Sequence, residues 1–111
     1  MDVSFLGEHF GNARRALMLP HSRGEAESIM DAFHECDIGL YGIDRSKFED
    51  TPRAWVEKLD TLMNTAGLSD PSSEGLWLIK ARKLTVDNKP ELSRIVDELA
   101  NWFNRRFWEN N

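Results

Sequence analysis

Residues 88–108 read NKPELSRIVDELANWFNRRFW, and this stretch decides the fold. Its apolar residues recur at the i, i+3, i+4, i+7 spacing of a helix with one buried face. They are Leu92, Ile95, Val96, Leu99, Ala100, Phe103 and Phe107. No other segment has so long an apolar stripe, and we therefore expect the remaining helices to pack against this one.

Four further apolar patterns with helical spacing precede this stretch. They predict an all-α fold, a single-domain antiparallel bundle of about five helices over residues 1–111. The expected helices span approximately 2–19, 22–39, 51–66, 71–84 and 88–108. Residues 76–79 are consecutively apolar, which fits a helix buried nearly all round or a strand. Helix is favoured because the sequence offers no partner strand.

Polar, proline and glycine residues indicate where these helices begin and end. The expected start signals are Ser22 with Glu25, Thr51 with Pro52, Asp70 with Pro71, and Asn88 with Glu91. Such pairs place a capping side chain or a proline in the first helical turn. The expected stop signals are Pro20, Gly39 and Gly67, because proline and left-handed glycine end helices.

Composition is typical of a globular domain, with 41% hydrophobic and 30% charged residues in 111. No apolar run approaches the roughly 20 residues that span a bilayer. The first residues lack the basic start and apolar stretch of a signal peptide, and the single Cys36 cannot form an internal disulfide. We therefore expect a cytoplasmic protein with no membrane segment.

The net charge of −5 argues against sequence-independent binding to nucleic acid, which needs a surplus of basic residues. Residues 1–75 hold 14 acids and 7 bases, whereas residues 76–111 hold 5 acids and 7 bases. The basic clusters are Arg14 with Arg15, Lys80 with Arg82 and Lys83, and Arg105 with Arg106. In an antiparallel bundle these clusters do not merge into one stripe, which disfavours a nucleic-acid-associated protein.

The second predicted helix carries a candidate metal site. Glu27, Asp31 and His34 fall within a strip about 60° wide beside its apolar face. A carboxylate and a histidine three residues apart can share a divalent metal ion, as in helical di-metal proteins. Those proteins use a second copy of the motif, which this chain lacks, so solvated helix residues are the competing interpretation.

Catalytic motifs are missing from the sequence. It contains no glycine-rich phosphate loop, no Cys-x-x-Cys and no His-Glu-x-x-His. Cys36 follows His34 and Glu35 directly, but neighbours on a helix point about 100° apart. The sequence favours a protein that is not an enzyme and has no cofactor. The alternative is a metal-dependent helical-bundle enzyme or metal-binding protein that uses the strip on the second helix.

Aromatic residues at the end of the last helix point to a protein interface. Trp102 lies at the edge of the apolar stripe, and Trp108 lies about 160° from its centre line. Exposed tryptophan and arginine side chains commonly anchor interfaces. We therefore expect an interaction module that forms a homodimer through Trp102, Arg106, Phe107 and Trp108. Packing of both tryptophans within one chain is the alternative.

Two segments resemble small uncharacterised bacterial proteins carried on mobile gene cassettes such as those of integrons. They are residues 16–33, ALMLPHSRGEAESIMDAF, and residues 91–103, ELSRIVDELANWF. The resemblance covers about a third of the chain. It implies a bacterial, cytoplasmic accessory protein and transfers no active-site residue.

Overall fold

The computed structural model describes residues 2–18, 20–21 and 23–109. Within these residues it has five α-helices, one turn of 3-10 helix and no strand. The helices are α1 (Val3–Leu17), α2 (Glu25–Leu40), α3 (Asp50–Met63), α4 (Leu76–Lys83) and α5 (Asn88–Glu109), and the 3-10 turn is Arg45–Lys47. The predicted all-α bundle is confirmed.

Helix α5 buries the face that the apolar stripe predicts. Its buried residues are Leu92, Ile95, Val96, Leu99, Ala100 and Phe103, whereas Phe107 is half-buried. These side chains join apolar residues from the other four helices in one hydrophobic cluster. None of the helices in the described ranges is both long and apolar enough to cross a bilayer.

The expectation that all helices pack against α5 is only partly right. Helices α1 and α3 pack against α5, but α2 packs mainly against α1, and α4 packs against α2. Helix α1 therefore lies between α2 and α5. It reaches this position because small residues, Gly7 towards α5 and Gly39 of α2, allow close approach of the backbones.

Contacts between distant residues show how the helices run. An added Cβ on Gly7 would lie 2.7 Å from Asn104 Oδ1, and Arg14 contacts Asp97, so α1 is antiparallel to α5. Trp55 meets Trp102 while Glu49 meets Arg106, so α3 also runs against α5.

Several predicted helix ends are wrong. Gly39 does not end α2, which continues to Leu40, because this glycine serves a close contact: an added Cβ would lie 3.2 Å from the Cβ of His9. Gly67 does have a positive φ of 82°, but α3 has already ended at Met63. The Asn64 side chain accepts a hydrogen bond from the Ala66 amide and turns the chain earlier.

Two predicted helix starts also differ from the structure, and a third falls partly outside the described residues. Helix α3 begins at Asp50, after Glu49, rather than after Thr51. Asp70 does not cap α4: its carboxylate accepts hydrogen bonds from the amides of Glu74 and Gly75, and the helix begins only at Leu76. Ser22, the predicted capping residue of α2, lies outside the described residues, and the helix begins at Glu25 after Gly24.

The start of α5 at Asn88 is confirmed, but its predicted capping pair is not. Asn88 Oδ1 accepts from the Thr85 amide, and Thr85 Oγ1 accepts from the Asn88 amide. This reciprocal pair is a capping box in which Thr85 is the capping residue, three positions earlier than expected. The sequence itself contains this capping pattern, because Thr85 is a hydroxyl residue and Asn88, three positions later, is polar.

Residues 76–79 are helical, as favoured, but they are not buried nearly all round. Trp77, Leu78 and Ile79 are half-buried, and Leu76 is 38% exposed. Ala81 is the buried residue of this eight-residue helix. A helix this short that packs mainly against α2 leaves part of its apolar surface uncovered.

Candidate interaction surface at the end of helix α5

Trp102 is held within the chain by an aromatic and cationic cluster. Its ring meets that of Trp55 edge-on, with the ring centroids 6.2 Å apart. The guanidinium of Arg106 lies 4.8 Å from the centroid of the Trp102 ring, and that of Arg105 lies 5.7 Å away. Cations over an indole face are attracted by its negative potential, so the half-buried Trp102 ring is fixed by its own chain.

Arg106 also ties the end of α5 to the start of α3. It donates to Glu49 at 2.6 Å and to Glu109 at 3.1 Å. These carboxylates raise the pKa of the Arg106 guanidinium, with the Glu49 hydrogen bond as the main cause. A cleft of about 230 Å³ beside this pair has Phe48, Trp102 and Arg106 in its lining, less than the volume usual for a small-molecule site.

Trp108 is the aromatic residue of this region that faces solvent. Its side chain is 72% exposed, although its ring contacts the ring of Phe107 edge-on at 5.3 Å. Of the four predicted interface residues, Trp102 and Arg106 form an inner pair with partners elsewhere in the chain. Phe107 is half-buried against Trp108, and Trp108 protrudes into solvent.

The polar face of α5 continues from Trp108 towards the start of the helix. Arg94, Asp97, Asn101 and Arg105 are exposed on it. Arg14 of α1 donates to Asp97 Oδ1 at 3.3 Å and to Asn101 Oδ1 at 3.1 Å. The apolar periodicity that predicts α5 identifies this face only as its polar side. In the sequence this face is marked by polar residues that follow one another at helical spacings of three, four and four positions.

Other exposed apolar residues lie at the same end of the bundle. Tyr41 is 83% exposed and Ile38 is 46% exposed at the end of α2, and Phe5 is 39% exposed at the start of α1. Helical periodicity does not identify them, because it does not show which of the two flanks of an apolar face a neighbouring helix will cover. The Phe5 ring does stack against the His9 ring, with centroids 4.4 Å apart.

Two of the three residues of the predicted metal strip on α2 contact other protein groups. Asp31 pairs with Arg23, and the His34 ring meets the Trp77 ring edge-on at 4.8 Å. Glu27 is half-buried near the start of the helix. Within the described residues, no group of three His, Cys, Asp or Glu side chains is arranged to hold a metal ion. Metal binding by Glu27, Asp31 and His34 stays a prediction.

Each basic cluster contains an arginine with an acidic partner in the fold. Arg14 pairs with Asp97, Arg82 donates to both carboxylate oxygens of Glu74 at 3.0 Å, and Arg106 pairs with Glu49. Partnered guanidinium groups have less positive potential to offer a phosphate backbone. These arginines therefore do not support the interpretation as a nucleic-acid-associated protein.

Cys36 is fully buried in the core between apolar side chains. Burial is the main cause that raises the pKa of its thiol far above the ordinary value of 9.0. A protonated and inaccessible thiol is a poor nucleophile. Cys36 is therefore a core residue in this structure.

Two further side-chain contacts between chain segments are not indicated by any pattern in the sequence. His9 Nδ1 lies 2.7 Å from Glu35 Oε2, across the α1–α2 contact. Arg45 donates to both oxygens of Asp60 at 3.0 Å and to the carbonyl oxygens of Leu40 and Ile43. Arg45 thereby joins the end of α2 to α3. Both contacts bind helices together rather than form an open site.

Comparison of the chain with protein-family models, with curated proteins and with solved structures gave no match.

Proposed function

We propose that this protein is a non-enzymatic interaction module that forms a homodimer through the C-terminal part of α5. The observation that carries the proposal is the 72% exposed side chain of Trp108. A large aromatic ring in water costs free energy that an interface recovers, and tryptophan is enriched among interface anchors.

The inner residues Trp102 and Arg106 support the outer one. The Trp55 ring, Glu49 and the cationic contacts hold the last turns of α5 in place. A rigid anchor loses little conformational entropy on association, which favours binding. In this proposal Trp102, Arg106 and Phe107 position the surface, and Trp108 makes the contact.

The proposal assigns the protein to the bacterial cytoplasm. The single Cys36, which leaves no internal disulfide to form, and the likeness to cassette-borne bacterial proteins support this assignment.

The test is the molar mass in solution from about 1 to 100 µM, a range suited to a weak dimer, by sedimentation or light scattering. We expect the native protein to dimerise and Trp108→Ala to weaken dimerisation at least about tenfold, as expected for loss of an interface anchor. Tyr41→Ala is the control, because Tyr41 is an exposed aromatic residue outside α5, directly after the end of α2. A native protein that is monomeric throughout, or a Trp108→Ala variant that associates like the native chain, would contradict the proposal.

A further inference from the structure

The exposed face of α5 carries a ridge of polar residues that ends in Trp108. We define the outer ridge as Arg94, Asp97, Asn101, Arg105 and Trp108, all of which are exposed. At 100° per residue these five positions lie within about 80° of one another, on the side opposite the buried face. The ridge extends from position 94 to position 108, or about 21 Å of helix.

The outer ridge is arranged symmetrically about Asn101. Asp97 lies four residues before this centre and Arg105 four residues after it. Arg94 lies seven residues before it and Trp108 seven residues after it. In an antiparallel pair of α5 helices with a two-fold axis at Asn101, each position faces its counterpart at equal distance on the other side.

That register brings complementary groups together. Asp97 of each copy faces Arg105 of the other, which gives two ion pairs across the axis. Arg94 of each copy lies against the Trp108 ring of the other, an arrangement in which the indole face attracts the cation. The two Asn101 amides meet at the centre, where one can donate to the other. An asparagine at the centre of a helix pair is known to fix register.

We propose that a second copy of this chain docks on the outer ridge, antiparallel and centred on Asn101. This inference rests on the proposed homodimer and specifies its geometry. The charge pattern selects a second copy over an unrelated partner, because a ridge whose acidic and basic positions exchange under two-fold rotation is complementary to itself.

The contact between Arg14 and the ridge prepares it for this pairing. Arg14 holds Asp97 and Asn101 from the α1 side through one oxygen of each. The Asp97 side chain is still 52% exposed, and a carboxylate accepts several hydrogen bonds. Two side chains already restrained lose less rotamer entropy when the second copy binds. Since one helix face per copy is a small interface, we expect micromolar association.

Disulfide trapping tests the register directly. Asn101→Cys places one thiol on each side of the two-fold axis, and the native Cys36 does not interfere because it is fully buried. Under mild oxidant we expect a covalent dimer with this variant and little with Lys58→Cys, a control on the exposed face of α3. If the protein dimerises in solution but Asn101→Cys traps no better than Lys58→Cys, the register is overturned and the proposed function still stands.

Charge reversal gives a second, independent measurement. Arg105→Glu and Asp97→Arg each set like charges against one another twice across the axis, and we expect each to weaken dimerisation at least about tenfold. The double variant in one chain restores opposite charges across the axis but loses the Arg14 contact with Asp97, so it should associate more tightly than either single variant without reaching the native affinity. Failure of the double variant to recover, with its melting temperature near the native value, would overturn the proposal. A native chain monomeric at about 100 µM would instead end the proposed function itself.

Discussion

The glycines in α1 and α2 differ in how closely a neighbouring helix approaches the position that a Cβ would occupy. At Gly7 an added Cβ would lie 2.7 Å from Asn104 Oδ1, and at Gly39 it would lie 3.2 Å from the Cβ of His9. At Gly11 it would meet only Arg15 Nη1, at an ordinary 3.7 Å. The first two glycines therefore permit helix contact, whereas Gly11 only costs helix propensity.

Alanine substitutions at Gly11 and Gly7 should consequently have different effects. Gly11→Ala should raise the free energy of unfolding by about 1 kcal/mol, because alanine favours the helix and no atom has to move. Gly7→Ala should lack this gain, since the Asn104 side chain must shift and its hydrogen bond to the Ala100 carbonyl is disturbed. Urea unfolding of both variants checks the difference. Equal stabilisation would show that Asn104 yields without cost.

At the scale of the element, short-range hydrogen bonds rather than apolar periodicity decide where helices begin and end. The sequence pattern predicts that Asp70 starts α4, yet its carboxylate closes a turn on the amides of Glu74 and Gly75. Thr85, three residues before Asn88, makes the N-terminal cap of α5 that the sequence pattern assigns to Asn88. Periodicity locates the middle of a helix well, but several polar residues near each end compete to cap it.

The capping role of Thr85 leads to a stability prediction. Thr85→Ala removes the Oγ1 acceptor of the Asn88 amide and should lower the free energy of unfolding by about 1 kcal/mol. The matched control is Thr61→Ala inside α3, where Oγ1 only bonds to the Glu57 carbonyl. That control should be neutral or slightly stabilising, because alanine has the higher helix propensity. Thermal unfolding compares them, and an equal loss in both would refute the cap.

At the scale of the whole molecule, α1 and α5 together organise the bundle. Helix α5 contributes the long buried stripe, and α1 lies between it and α2. Ion pairs join parts of the chain that are far apart in sequence. Lys89 Nζ at the start of α5 lies 2.6 Å from Glu25 Oε1 at the start of α2, so these two helices begin at the same end of the bundle.

This ion pair predicts a pH dependence of stability. The hydrogen bond and the charge of Lys89 lower the pKa of Glu25 from its ordinary 4.5. A lowered pKa in the folded state gives stability that is present above the ordinary value and is lost as the pH falls through the lowered value. Lys89→Met should therefore be less stable than the native protein at neutral pH, and this difference should vanish in acid.

Denaturant unfolding from about pH 7 to about pH 3 measures the effect across the titration of Glu25, and an NMR titration follows its pKa directly. We expect the Glu25 pKa to return towards 4.5 in Lys89→Met. Lys58→Met, on the exposed face of α3, is the control for loss of one positive charge. A stability difference between native and Lys89→Met proteins that stays constant into acid would argue against the linkage.

The candidate surface was predictable only in part. Helical geometry alone places Trp108 far from the apolar stripe, and its side chain is 72% exposed in the structure. The partners of Trp102 and Arg106 were not predictable, because Trp55 lies 47 residues before Trp102 and Glu49 lies 57 residues before Arg106. Which side of α5 those residues occupy depends on how α3 packs, and no local pattern encodes that.

The sequence by itself determined that this chain is helical and which face of α5 is buried. Both follow from the spacing of apolar residues over one or two helical turns, which depends only on residues close together in the sequence. Only the tertiary structure decided that α1 lies between α2 and α5, that Gly39 is a contact rather than a helix end, and that α4 is partly uncovered. Those features arise from packing between segments distant in sequence, where backbone approach and side-chain volume choose among arrangements that the local pattern permits equally.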